Sequence, residues 1–155
     1  MRNHVLKRSA ALIATVAFVG ILCSQYVAAQ KVDWRKVRVL VYTKNGKGYV
    51  HDNIPNSVEA IKALGKEHGF SVDVSDDPAI FAESNLKKYS ALIFCNTNNV
   101  VFDTDSQRVA LMRYIQAGGG FAAIHSASGT ERGWKWFKQM LGARSTGMSP
   151  FRNSG

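Results

Sequence analysis

From residue 37 onward, short apolar runs alternate with amphipathic stretches, and this alternation constrains the fold more than any other feature of the chain. Val37-Arg-Val-Leu-Val-Tyr42 is a β-branched run that predicts a first strand, followed by the loop Thr43-Lys-Asn-Gly-Lys-Gly48. Residues 53–68 carry Ile54, Val58, Ile61 and Leu64 at helical spacing and stop at Gly69, which predicts an amphipathic helix with a glycine cap. Phe70-Ser-Val-Asp-Val-Ser75 alternates as an edge strand does, and Asp76-Asp77-Pro78 turns it into a short helical or irregular stretch. Residues 89–95 are almost all apolar and predict a central strand that empties into Asn96-Thr97-Asn98-Asn99.

Thr104 and Gln107 form a capping-box pattern, and Val109, Met112, Tyr114 and Ile115 supply an apolar face to the helix that follows. Ala117-Gly-Gly-Gly-Phe-Ala-Ala-Ile-His125-Ser126 then reads as a helix end, a short buried strand and a sharp exit turn. A last helix is expected over 130–141, with Trp134, Phe137 and Leu141 on one side as core and Trp136 off that stripe, open to a sugar-stacking role. Such a succession implies right-handed crossovers and an α/β fold with a doubly wound, mostly parallel sheet. In a flavodoxin-like order of 2-1-3-4 the ends of strands one, three and four lie together. Thr43, Asn96, Thr97, His125 and Ser126 then line one crevice, with His51 facing it.

Composition narrows the partners. The chain is 46% hydrophobic and 20% charged, which suits a globular domain. Of the net charge of +9, Arg2, Lys7 and Arg8 hold +3; the rest, 17 basic against 11 acidic residues, is scattered without a basic run. A solvated surface is therefore favoured over nucleic-acid binding. The first loop fits neither GxxxxGK[ST] nor GxGxxG, so mononucleotide binding has little support.

The N-terminus reads as an export signal over residues 1–29. A positive region to Arg8, an uncharged apolar stretch from Ala10 to Cys23, and Val27-Ala28-Ala29 before Gln30 supply its three parts. The expected location is periplasmic or secreted, with no membrane attachment after cleavage, and the domain occupies 30–155. The apolar stretch is shorter than the roughly 20 residues a membrane span needs. After cleavage Cys95 alone remains, which excludes an internal disulfide, and its place at the end of an apolar run favours a small buried hydrophobe over a reactive thiol.

Three separated segments carry a resemblance: Tyr49-Val-His51-Asp52-Asn53-Ile54, Phe94-Cys-Asn96-Thr97, and Gly118 through Ala127 followed by Glu131 and Trp134-Lys-Trp136. In this order they resemble the ThuA-like (trehalose utilisation) family, over residues 37–141. The resemblance implies a flavodoxin-like three-layer domain of class I glutamine amidotransferase-like fold, connected with trehalose and related sugars. It also implies that His125 stands where those amidotransferases carry their nucleophilic Cys. Imidazole does not replace an acyl-forming thiolate, so amidotransferase activity is not expected. Domains of the family continue into further strands, whereas this chain ends Met148-Ser-Pro-Phe-Arg-Asn-Ser-Gly155, which leads us to expect a C-terminally truncated, partial domain with an exposed sheet edge or an oligomeric partner.

The expected function is action on, or binding of, a carbohydrate or carbohydrate-derived small molecule. His125 is the candidate catalytic or ligand-orienting group, and Thr43, His51, Asn96, Thr97, Ser126 and Trp136 are candidates for holding substrate. A non-catalytic sugar-binding or assembly module, or an inactive fragment, is the alternative. His51 and His125 lack a clearly placed carboxylate, so separate hydrogen-bonding roles are favoured over a metal site, and the cofactor is left open.

Overall fold

Strand order is β2-β1-β3-β4, with every pairing parallel. The computed structural model describes residues 32–142; the leader and the tail from residue 143 lie outside the described residues. Strand β1 (Arg38–Tyr42) leads to helix α1 (Ile54–His68), β2 (Ser71–Ser75), the short α2 (Glu83–Leu86), β3 (Ala91–Cys95), α3 (Asp105–Gln116), β4 (Gly120–Ile124) and α4 (Lys135–Met140). In the 2-1-3-4 order the first crossover runs in the opposite direction to those after it, and because each crosses right-handedly the helices fall on both faces.

The faces separate by strand alternation. Leu40, Tyr42, Leu92 and Phe94 point to one side and pack with Phe81, Leu86, Phe102, Leu111 and Phe137. Val39, Val41 and Cys95 point to the other, under Val58 and Ile61 of α1. Cys95 is fully buried there, and burial pushes its thiol pKa up, which matches a hydrophobe rather than a reactive thiol. Both anticipated caps form: Thr104 and Gln107 close a reciprocal capping box, and Gly69 ends α1 in the left-handed conformation at φ 87°.

Four local expectations change. Leu64 is 48% exposed, and the residue of α1 that meets the sheet is Gly65. A Cβ there would stand 2.8 Å from Val72 Cγ2 and 2.9 Å from the Phe70 carbonyl, so helix and strand approach closer than a leucine permits. In α3 Tyr114 and Ile115 pack against the core as the stripe predicts, but the most buried positions are Ala110 and Leu111, and Val109 is exposed. The last helix begins at Lys135 rather than 130, since Glu131 adopts a left-handed φ of 49° that a helix does not tolerate. Strand β4 is at the sheet edge, and its Ala122 and Ala123 are exposed rather than buried.

Gly65→Ala tests the close approach. Alanine is the better helix former, yet the methyl meets a backbone oxygen that has no room to move. We expect a net loss of about 1–3 kcal/mol, read as a lower urea midpoint at unchanged slope.

Candidate functional site

The C-terminal ends of β1, β3 and β4 share one side of the sheet because the three strands are adjacent and parallel. Their exit loops are bonded to one another. Asn45 bridges to Asn98, the Gly46 amide donates to the Asn98 carbonyl at 2.8 Å, and Asn99 bridges to Thr130. Gly46 is required in this layer: a Cβ on it would lie 2.5 Å from the Val100 carbonyl oxygen.

His125 follows β4 directly and has a left-handed φ of 53°, and Asn96 follows β3 with φ 52°. Both are non-glycine residues in a sparsely populated region, each at a strand exit where the chain must turn sharply. These turns aim two polar side chains at each other. His125 Nδ1 lies 3.1 Å from Asn96 Oδ1, and Asn96 Nδ2 lies 3.3 Å from Ser57 Oγ in the first turns of α1. Asn96 is fully buried, whereas His125 is exposed. The imidazole of this exposed residue is therefore held by the protein at Nδ1.

His51 completes the contact. Its ring stands edge-on to that of His125 with centroids 4.5 Å apart, and Tyr49 stands edge-on to His51 at 4.9 Å. Tyr49 is 67% exposed, so an aromatic surface borders the two imidazoles. Tyr49 enters the sequence reading only inside a motif; its Tyr-x-His spacing next to a glycine-rich loop is the signal that could have singled it out.

The remaining candidates are placed differently. Thr97 is fully buried and its hydroxyl is paired with that of Thr130 at 2.6 Å, beneath the exit loops. Thr43 is half-buried; its amide donates to the Ser75 carbonyl and its own carbonyl accepts from Asn45 Nδ2. Ser126 lies in the 3-10 helix His125–Gly129, with a buried Oγ that has no partner among the described residues. Trp136 packs on Trp134 at 5.0 Å along the aromatic core, and Trp134 in turn stacks on Phe137. His51, Asn96 and His125 are thus brought into contact with one another, and Thr97 and Trp136 engage other partners. Among the described residues no three His, Cys, Asp or Glu side chains gather as a metal-binding group.

A buried charge supports this layer from below. Glu131, 4% exposed, accepts from the Val101 and Phe102 amides at 2.9 and 3.2 Å and from Arg108 Nε at 2.9 Å. Its hydrogen bond raises the Arg108 pKa further above the ordinary arginine value. The pair ties α3 to the loops after β3 and β4, so it fixes where His125 and Asn96 leave the sheet.

A ThuA-like protein from Bacteroides uniformis, solved by crystallography, superposes on this chain with a TM-score of 0.59 at 25% identity, over 74% of this chain and 47% of its own. The chain therefore spans about half the length of that relative. No curated protein matches the chain. The ThuA family model, described as trehalose utilisation, matches residues 38–153, which include all three strand exits and the residues gathered around His125; the chain belongs to the ThuA family.

Proposed function

We infer that the chain is an exported domain that binds or acts on a carbohydrate or carbohydrate-derived small molecule at the loop end of its sheet. The observation that carries this reading is the left-handed, exposed His125 at the end of β4, with its ring held at Nδ1 and in contact with His51. Backbone strain at a strand exit is kept where a side chain must be presented. The exposed ring of Tyr49 adds an apolar face beside polar groups, a combination that suits a pyranose, whose carbon-bound hydrogens and hydroxyls lie on different surfaces. The family description supports a sugar. Amidotransferase chemistry is not part of the reading, because the elbow residue is an imidazole and Cys95 lies buried under α1. Export rests on the leader over residues 1–29.

The test is thermal unfolding of the protein recovered from the exported fraction, whose first residue is expected to be Gln30. Trehalose or an oxidised disaccharide at about 100 times its Kd should stabilise the fold by about 2.7 kcal/mol, since it binds only the native state. In the His125→Ala variant we expect turnover to fall at least tenfold, about 1.4 kcal/mol of barrier, while the ligand-induced rise in Tm survives. A rise in Tm with turnover absent in parent and variant alike would make the domain a binding module. No response to any sugar would end the carbohydrate reading.

A further inference from the structure

We propose that Asn96 is a positioning residue that holds neutral His125 in its Nδ1–H tautomer, leaving the Nε2 lone pair as the group presented to a ligand hydroxyl. The inference rests on the reading of His125 given above, and it adds a direction to every hydrogen bond behind the ring.

The direction is set at the far end of the chain of contacts. Ser57 Oγ lies 3.1 Å from the Asn53 carbonyl oxygen, and a carbonyl oxygen accepts only, so the Ser57 proton is committed there. The Ser57 oxygen is left as an acceptor towards Asn96, 3.3 Å away, which requires the amide nitrogen of Asn96 on that side. Cys95 Sγ, 3.6 Å from the same nitrogen, sets no direction, because a thiol can donate to an amide oxygen as well as accept from an amide nitrogen. Asn96 Oδ1 must then face His125, and an amide oxygen only accepts. Nδ1 of the neutral ring therefore carries the proton.

Free imidazole side chains in water favour the opposite tautomer, with the proton on Nε2. A ring in that form offers a ligand a donor, whereas His125 offers an acceptor. The chain thus selects for a neutral hydroxyl donor over an acceptor such as a carbonyl, and it readies Nε2 to take a proton from that hydroxyl. Asn96 itself is fully buried and need not touch the ligand.

The test reads the tautomer without any ligand. In the 15N-labelled full chain, long-range proton–nitrogen spectra of the neutral imidazoles, assigned with the His125→Ala variant, should show His125 protonated on Nδ1. Asn96→Gly keeps the left-handed backbone but removes the acceptor, and the proton should move to Nε2. Asn96→Asp restores an acceptor and should restore the Nδ1–H form. Ser57→Ala releases the amide to turn over and should shift the proton partly or wholly to Nε2; its position on α1 makes this variant decisive if Asn96→Gly does not fold. A parent ring protonated on Nε2, or an Nδ1–H form that persists in Asn96→Gly or in Ser57→Ala, would overturn the proposal. Absence of sugar binding with the tautomer as expected would count against the proposed function alone.

Discussion

Replacing Glu131 with alanine is expected to cost about 3–5 kcal/mol of folding stability, because it breaks a buried ion pair whose acceptor also serves two backbone amides. Each orphaned buried N–H alone costs about 1–3 kcal/mol. Arg108 recovers more easily than the amides do, since its side chain is 22% exposed and keeps Asp105 as a partner. We therefore expect Arg108→Ala to be milder than Glu131→Ala, and the double variant to cost clearly less than the two single losses added together. Urea unfolding of the four chains measures this coupling. A Glu131→Ala chain within about 0.5 kcal/mol of the parent, the range of an ordinary surface change, would show that the pair does not hold the loop layer.

Phe94→Ala should be comparably severe for a different reason. Phe94 is fully buried and its ring meets those of Tyr42, Phe81, Phe102, Phe121 and Phe137 at centroid separations from 5.0 to 6.3 Å. Removing it takes out the ring that joins strands to the α2–α4 side of the sheet, at an expected cost of about 3–5 kcal/mol. At roughly 4 °C or more for each kcal/mol in a domain of this size, Tm should fall by more than about 10 °C. Phe94 also precedes Asn96 by two residues on β3, so the cavity loosens the strand end that aims the amide. Any sugar-induced rise in Tm should shrink in this variant, whereas Gly65→Ala, on the opposite face of the sheet, should leave that rise intact. Equal ligand responses in the two variants would separate the aromatic core from the site.

Much of the architecture was legible in the sequence for identifiable reasons. The parallel sheet follows from the β/α alternation and its 2-1-3-4 order is the flavodoxin-like one, while the C-terminus of α1 and the N-terminus of α3 follow from Gly69 and the Thr104/Gln107 pair, whose effects are local. The contact surfaces of the helices were less legible. A stripe of apolar residues marks a face roughly 100° wide, but the depth of packing within it depends on what stands opposite, and Gly65 displaces Leu64 because β2 comes too close for a side chain.

His125, His51 and Asn96 could be nominated as neighbours because strand order alone brings their loops together. Their roles could not, because a role depends on which atom faces which. Nothing in residue spacing reveals that Thr97 is spent on Thr130, that Trp136 lies against Trp134, or that Glu131 reaches back 23 positions to Arg108. By itself the sequence determined the family, the parallel sheet and which strand-exit loops lie together, since these depend on motif order, local periodicity and chain connectivity. Only the tertiary structure decided the left-handed turns at Asn96 and His125, the buried carboxylate of Glu131 and the contact between the Asn96 amide and the His125 ring. Those depend on donor and acceptor geometry between residues far apart in the chain, which periodicity does not encode.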